Sequence, residues 1–527
     1  MARLVGTGRG SGLKTGAVFA GPAEYLCSRG YVAVVQDCRG RFGSEGEYYH
    51  MANEAEDGYA AAEWIARRPW SDGKVGTFGV SYGAQVQSAM ATQAPPHLAA
   101  MIPVEGPSNI YSYGLRHDGA FQLKFLLAGF WLAADSQEAA ANPAIAAAVE
   151  TASQWLRGLP LKRGESPLSL APGYERFVLD FMTKGDYEEF WANPSFNTEA
   201  HYERHSDVPI YLVGGWYDSW SRAMTTHFVE LSRRKSGPIK LLMGPWAHGE
   251  RSMSLTYSGD VDFGPQASLD GNLAEDSDAW RLRWFDRWLK GLDSGVEGEP
   301  PIKVFVMGGG SGRKNADGRL DHGGRWRDER EWPLARARPT DYYLHSDGTL
   351  STAWPRDGGP PSTYRFDPEH PVQTISGNLS GLLEVVPMPE GLSPAAPPSM
   401  RRRQLAIAGG AHQAERPGAF GCEPPYGPLA ERPDVLVFQT PRLLTPGRAY
   451  EITIILAPTS NLFKADHRIR LDISSSNFPR FDVNPNTGEP VGRHSRTAVA
   501  DNAVYHDARH PSHVVLPIVG QGPSVGC

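Results

Sequence analysis

The sequence predicts an α/β chain: a parallel sheet with crossover helices, a helical insertion within it, and a second, all-β domain. Three observations carry this. Short apolar runs alternate with helix-length segments over residues 31–106 and again over 209–291. Between them, residues 107–205 are rich in Ala, Leu, Phe and Trp, in helix-like stretches such as "FQLKFLLAGFWLAA". From about Pro301 strand-length runs bounded by turn residues take over. A repeated strand–helix–strand rhythm is the signature of a parallel sheet, and a run of short strands without helices signals a sandwich or barrel.

Taken in order, "YVAVVQDCRG" (31–40) reads as a buried strand running into a loop. "EAEDGYAAAEWIARRP" reads as a helix with Tyr59, Ala62 and Ala66 on one face, stopped by Pro69. "KVGTFGV" is the next strand, followed at Ser81 by a helix that the Pro95-Pro96 pair ends, and "LAAMIPVEG" (98–106) is a third strand. After the insertion, "PIYLVGG" (209–215) and "IKLLMG" (239–244) flank the helix "TTHFVELSRR". "DAWRLRWFDRWLKG" closes the region, with Trp280, Trp284 and Trp288 on one stripe and Gly291 placed to cap the end. Beyond it "PIKVFVMG", "TDYYLH", "YEITIIL", "HRIRLDISSS" and "SHVVLPIV" are strand-like. In the fourth, Ile469, Leu471 and Ile473 alternate with Arg470 and Asp472, as on a half-buried strand. The expected segments are therefore 1–106 and 206–300 for the α/β domain, 107–205 for the cap, and 301–527 for a β domain of sandwich or jelly-roll type. Residues 387–428, rich in Pro, Gly and Ala with an Arg401-Arg402-Arg403 triplet, read as a long loop.

Bulk properties narrow the function. A net charge of −7 supplies no electrostatic reason to bind nucleic acid. Four scattered cysteines, Cys27, Cys38, Cys422 and Cys527, suit neither a disulfide framework nor a zinc site and fit a reducing compartment. The opening "MARLVGTGRGSG" lacks the apolar run of a signal peptide, and no run of about 18 apolar residues occurs, so a cytoplasmic protein without a membrane span is expected. No metal is expected either. "YSGDVDFGP" (257–265) places Asp260 and Asp262 near glycines, but no twelve-residue ligand pattern follows and the stretch reads as a loop. There is no nucleotide-binding glycine motif, so no cofactor is implied, and the Asn378-Leu379-Ser380 sequon would be silent in the cytoplasm.

The chemistry begins at Gly79-Val80-Ser81-Tyr82-Gly83, a G-x-S-x-G pattern. Alone it counts for little in a chain with 58 glycines. Its context, a strand before and a helix after, is what a nucleophile elbow requires; a helix-capping serine is the plainer alternative. A serine nucleophile needs a base, and the base an orienting acid, here in the chain order Ser, Asp, His with each just past a strand end. Asp218 follows the strand ending in Gly214-Gly215, and His248 follows the one ending in Gly244. Other histidines, such as His117, His205 and His227, read as structural. The Tyr82 backbone N–H would be one oxyanion donor, and Tyr82, Trp216, Tyr217, Trp220 and Trp246 either shape an acyl pocket or simply pack the core.

These motifs together resemble a family. "GYVAVVQDCRGRFGSEGEYY", "GVSY", "GGWYDSW", "GPWAHG", "DRWLKG", "IKVFVMGG" and "TSNLFKADHRIRLDISSSNFPRFDVNPNTGEP" are similar to the CocE/NonD serine hydrolases, which include cocaine esterase, α-amino-acid ester hydrolases and X-Pro dipeptidyl-peptidases. The resemblance implies an α/β-hydrolase domain with a helical cap and a C-terminal jelly roll. It implies Ser81 as nucleophile, His248 as general base and Asp218 as its orienting acid, acting on small esters, amides or short peptides. A homo-oligomer is compatible with the sequence, which does not itself fix the oligomeric state.

Two departures from the pattern matter. The family's opening strands and the "NPY"-like segment bearing a second, tyrosine oxyanion donor have no match in "MARLVGTGRGSGLKTGAVFAGPAEYL", and Tyr25 falls in the helix that follows. An uncovered sheet edge and a weaker oxyanion site are expected, one lost donor costing about 10² to 10³ in kcat. "DVLVFQTPRL" and "LTPGRAYEITI" nearly abut where relatives carry several strands, so an incomplete, less stable jelly roll is expected. Ala84 stands where a glycine is usual. The rivals to an esterase or amidase are an X-Pro dipeptidyl-peptidase, with Glu45 or Glu47 as grips for a substrate amine, and an inactive homologue that binds through its β domain.

Overall fold

The computed structural model describes residues 15–117, 119–149, 155, 158–356, 359–372, 435–436, 443–478 and 480–520. The expected 387–428 loop with its arginine triplet, the Asn378 sequon, Cys422 and Cys527 lie outside the described residues.

In chain order the α/β domain contains α1 (Thr15–Ser28), α2 (Glu54–Ala66), β1 (Val75–Val80), α3 (Tyr82–Ala91) and β2 (Leu98–Val104). The cap follows, with α4 (Lys124–Ala134), α5 (Gln137–Ala141), α6 (Pro143–Val149) and α7 (Pro172–Thr183). The sheet resumes with β3 (Ile210–Gly215), α8 (Ser221–Arg234), β4 (Ile239–Gly244), α9 (Ser277–Trp288), β5 (Ile302–Met307) and β6 (Gly324–Glu329). These six strands form one sheet in the spatial order β1-β2-β3-β4-β5-β6. The first five run parallel and β6 is antiparallel to β5. The sheet therefore crosses the boundary expected at residue 300. "PIKVFVMG", expected at the start of the β domain, pairs in parallel with β4 and so joins this sheet.

Both faces of the sheet are covered, which is why its strands read as continuous apolar runs. Leu212, Leu241 and Met243 face the cluster shared with the cap, while Tyr211, Val213 and Leu242 face Trp280 and Trp284 of α9. Gly291 (φ +72) ends that helix, donating its N–H to the Arg287 carbonyl at 3.0 Å, the left-handed closure the sequence predicted.

Three expectations are corrected. Residues 31–38 form no strand, and Val32, Val34 and Val35 are exposed; β1 is the sheet's edge, and an apolar run buries itself as a strand only when paired on a covered face. On α2 the buried face is Glu54, Ala55, Ala62 and Glu63, set by packing on α3, while Tyr59 is 38% exposed. In the C-terminal domain β7 (Arg338–Leu344), β8 (Leu350–Ser351), β9 (Ser362–Phe366), β10 (Ala500–Val504) and β11 (His513–Ile518) form, with β7 pairing β8 and β11 and β9 pairing β10. "HRIRLDISSS" forms no strand, and "YEITIIL" contributes only a two-residue one, Glu451–Ile452. Ile454, Ile455 and Ile473 are exposed: the alternation of residues 469–473 is a real strand pattern, but a pattern makes a strand only where a neighbour completes the ladder.

Among the described residues no helix is long and apolar enough to cross a membrane.

Candidate active site

Parallel strands bring their C-terminal ends to one edge, and each of β1 to β4 there hands over to a functional loop. The register aligns them: Val80 pairs Val104, Val104 pairs Val213, and Gly215 pairs Gly244. Ser81, Glu105, Asp218 and His248 follow these positions in turn.

Ser81 sits at φ +63, ψ −119, a conformation non-glycine residues rarely hold. It is fixed by its N–H, which donates to the Val104 carbonyl at 2.9 Å, and by its own carbonyl, which accepts from Ala84 and Gln85 N–H at 3.0 Å. The glycines around it answer to crowding. A Cβ on Gly79 would stand 3.0 Å from the Gly83 backbone, and one on Gly106 would stand 2.5 Å from the Ala84 Cβ. Ser81 makes no side-chain capping bond to α3, which removes the plainer capping alternative. The N–H of Tyr82 opens that helix, where the first turn's donors have no intrahelical acceptor.

His248 lies in the turn after β4 with its Nδ1 2.6 Å from Asp218 Oδ1. Asp218 is buried, and its Oδ2 accepts the Trp220 N–H at 2.7 Å. The carboxylate is thus held on both oxygens and can fix the imidazole tautomer with Nε2 turned outward. The indole of Trp220 meets the imidazole edge-on, centroids 4.9 Å apart, and Phe125 of the cap lies 6.3 Å from Trp220.

The predicted aromatics divide. Trp220 is at the site. Trp216 donates Nε1 to the Phe305 carbonyl at 2.8 Å and faces Trp332, and Trp246 donates to the Ala267 carbonyl at 2.9 Å and faces Trp326. Both are buried core residues whose rings bind the sheet to its surroundings. Tyr217 packs on Phe263 at 5.6 Å. Tyr82 stacks on His50, centroids 5.4 Å apart, and its hydroxyl donates to Glu54. Glu54 and His50 are both buried, and burial pushes the Glu54 carboxyl up to about 7 and the His50 imidazole down to about 3.

Glu105 was not anticipated as a site residue. It is fully buried at the end of β2 with φ +50; its Oε2 accepts the Gly249 N–H at 2.5 Å and lies 3.7 Å from His248 Nδ1. A carboxylate just past a parallel strand, in "PVEG", was the signal available: the same position that marked Asp218 and His248. Glu105, Asp218 and His248 are the one His/Asp/Glu cluster of metal-ligand proximity among the described residues. Asp262, by contrast, closes a turn, accepting the Gly264 N–H at 2.8 Å and the Asn315 side chain at 2.7 Å. The candidate amine grips are on the surface, Glu45 exposed and Glu47 paired with Arg176 at 3.1 Å.

A hydroxyl held out on a strand–helix elbow, sharing a sheet edge with an imidazole–carboxylate pair, is the equipment of a serine hydrolase of α/β fold. Comparison with known proteins agrees. The X-Pro dipeptidyl-peptidase (S15 family) profile matches residues 10–250, and that of the X-Pro dipeptidyl-peptidase C-terminal non-catalytic domain matches 294–443 and 435–515. The chain is 28% identical to the cocaine esterase of Rhodococcus sp. (strain MB1 Bresler), over 93% of this chain and 88% of that one. It is 24% identical to a Mycobacterium bovis protein provisionally named a serine esterase, over 93% and 83%. Among solved structures, an aminopeptidase from a marine-sediment Thaumarchaeota archaeon superposes with a TM-score of 0.60 at 18% identity, covering 94% of this chain and 87% of that one. A CocE/NonD family hydrolase of Staphylococcus aureus, 20% identical with a TM-score of 0.43, is matched over 63% of this chain and 48% of its own length. The two profiles together match both parts of the chain, which is similar over most of its length to serine hydrolases of the S15 kind.

Proposed function

We propose that this hydrolase cleaves small acyl esters or amides with Ser81 as nucleophile, His248 as general base and Asp218 as the acid that orients it. The observation that carries the reading is the strained Ser81 backbone at the head of α3, on the sheet edge where His248 and Asp218 meet at 2.6 Å. Ser81 Oγ attacks the acyl carbon as its proton passes to His248 Nε2. The imidazolium is stabilised by Asp218, and the Tyr82 N–H donates to the oxyanion. His248 then returns the proton to the leaving group, and water, activated by the same imidazole, releases the acyl group. Trp220 and Phe125, beside the imidazole, form an apolar wall suited to a compact acyl group. The two described cysteines, Cys27 and Cys38, are free thiols, which suits a cytoplasmic site of action.

The test is fluorophosphonate labelling followed by peptide mass analysis, with the adduct expected on Ser81 and absent after Ser81→Ala. Hydrolysis of a p-nitrophenyl ester against a Gly-Pro anilide separates esterase from dipeptidyl-peptidase. Turnover of the anilide alone would overturn the ester reading.

A further inference from the structure

Glu105 directly follows β2, which lies between the strand that leads to Ser81 and the strand that leads to Asp218, yet the triad mechanism has no use for it. Its backbone is strained at φ +50 and tied by its N–H to the Val213 carbonyl at 2.8 Å, so the side chain is directed by the sheet itself. Oε2 takes the N–H of Gly249, the peptide directly after His248, at 2.5 Å. Oε1 is buried with no hydrogen-bond partner.

We propose that Glu105 is a positioning residue for His248: it clamps the His248–Gly249 peptide, and together with Asp218 it presents the imidazole with one negative charge rather than two. This rests on the reading of Ser81, His248 and Asp218 as the triad.

The clamp follows from the contacts. His248 is attached to the sheet through the turn after β4, and Gly249 (φ +103) leads into a single helical turn, Glu250–Met253; the short bond to Glu105 pins the peptide where the two meet. The charge argument follows from burial. Glu105 and Asp218 are both fully enclosed, with ligand atoms within 4.8 Å of each other and of the imidazole. Two adjacent buried carboxylates cannot both ionise cheaply. Asp218 holds the better place, with His248 at 2.6 Å on one oxygen and the Trp220 N–H on the other, so the proton resides on Glu105. Burial first, then the Asp218 charge, push the Glu105 carboxyl well above the usual carboxylate range. Glu250 is the other acid facing Glu105, and it is itself paired with Arg281 at 2.5 Å. An uncharged Glu105 adds no second negative charge beside the imidazole while keeping its backbone pinned.

The experiment compares Glu105→Gln with Glu105→Ala in the full chain. Glutamine preserves an acceptor for Gly249 without a charge; alanine removes the clamp. With a p-nitrophenyl ester, Glu105→Gln is expected within about threefold of wild type in kcat, with the acid limb of kcat/KM unmoved. Glu105→Ala is expected to lose kcat by roughly 10²-fold at unchanged KM, as a misplaced catalytic group does. Histidine-selective ¹⁵N NMR supplies a readout independent of turnover: the His248 titration should coincide in wild type and Glu105→Gln. A shift of the His248 titration by about one pH unit in Glu105→Gln would show a second charge and overturn the proposal. So would an unimpaired Glu105→Ala. Failure of the triad reading itself looks different: Ser81 would then go unlabelled by fluorophosphonate while the His248 titration still reports on Glu105.

Discussion

His248 and Asp218, 30 residues apart in the chain, meet at 2.6 Å, and the same carboxylate is held from behind by the Trp220 N–H at 2.7 Å. Two ladder-aligned strand ends, Gly215 opposite Gly244, create the pairing, because each is followed by a turn that climbs out over the sheet edge. The glycines are needed for this. A Cβ on Gly215 would stand 2.2 Å from the Trp246 carbonyl, and one on Gly244 would stand 2.3 Å from the Trp246 ring.

Asp218→Asn keeps the size of the side chain and removes its charge. The amide can still accept from Trp220, but its NH₂ group competes for the imidazole and favours the wrong tautomer. The expected outcome is a fall in kcat of roughly 10³ to 10⁴-fold with little change in KM, and a melting temperature close to wild type. Steady-state ester hydrolysis with a parallel thermal melt checks it; full activity would remove Asp218 from the mechanism.

Gly79→Ala tests the elbow. The new methyl group would meet the Gly83 backbone at 3.0 Å, and neither backbone can retreat, since Ser81 N–H is committed to Val104 and the Gln87 side chain bonds the Gly83 carbonyl at 2.7 Å. A loss of about 1 to 3 kcal/mol in unfolding free energy is expected, together with slower fluorophosphonate labelling as Ser81 is displaced. Chemical denaturation and labelling rates measure the two effects separately. An unchanged labelling rate would mean the elbow tolerates the shift.

Residues whose roles depend on local pattern were legible in the sequence. β1 to β4 are buried on both faces, so they read as continuous apolar runs with clear ends, and the loops that follow them contain Ser81, Asp218 and His248. Roles set by distant partners were not. Val32, Val34 and Val35 have a strand's composition but form no strand and are exposed, and Ile469 to Ile473 alternate without a ladder to join. Trp216, Trp220 and Trp246 look equivalent in "GGWYDSW" and "GPWAHG", but only the direction of each ring distinguishes core from site. Glu105 is one acid after one strand with no partner within its own segment, so the cluster appears only when three strand ends are laid side by side.

Glu54 makes the stability of the fold depend on pH. Burial raises its carboxyl from an ordinary value of 4.5 to about 7, and Tyr82 donates to it. The folded chain therefore binds this proton more tightly than the unfolded chain does. Its contribution is fully present below pH 4.5 and is lost as pH rises through 7, by about 1.4 kcal/mol for each unit of difference. Glu54→Gln keeps an acceptor for Tyr82 and cannot ionise, so the decline in melting temperature between these pH values should be shallower in the variant than in wild type. Parallel slopes would mean that Glu54 is already ionised in the fold.

The C-terminal domain sets up the sharpest contrast in packing energy. Leu443, Leu444, Ile454, Ile455, Leu462 and Phe463 are all exposed, from 38% for Ile454 to 78% for Leu443, whereas Leu241 in β4 is fully buried. Hydrophobic stabilisation scales with the area withheld from water, so the exposed group contributes little to folding although its composition is that of strands. Leu241→Ala is expected to cost about 2 to 5 kcal/mol in unfolding free energy. Ile455→Ser should change it by no more than about 0.5 kcal/mol, the range of ordinary surface substitutions. Wild type should also bind the dye ANS in its native state, since exposed apolar side chains are what the dye reports, and Ile454→Ser with Ile455→Ser should reduce that signal. Urea titrations and dye fluorescence measure both. If Ile455→Ser instead costs more than about 1 kcal/mol, something covers this surface in solution, and the idle-surface account of residues 443–473 is wrong.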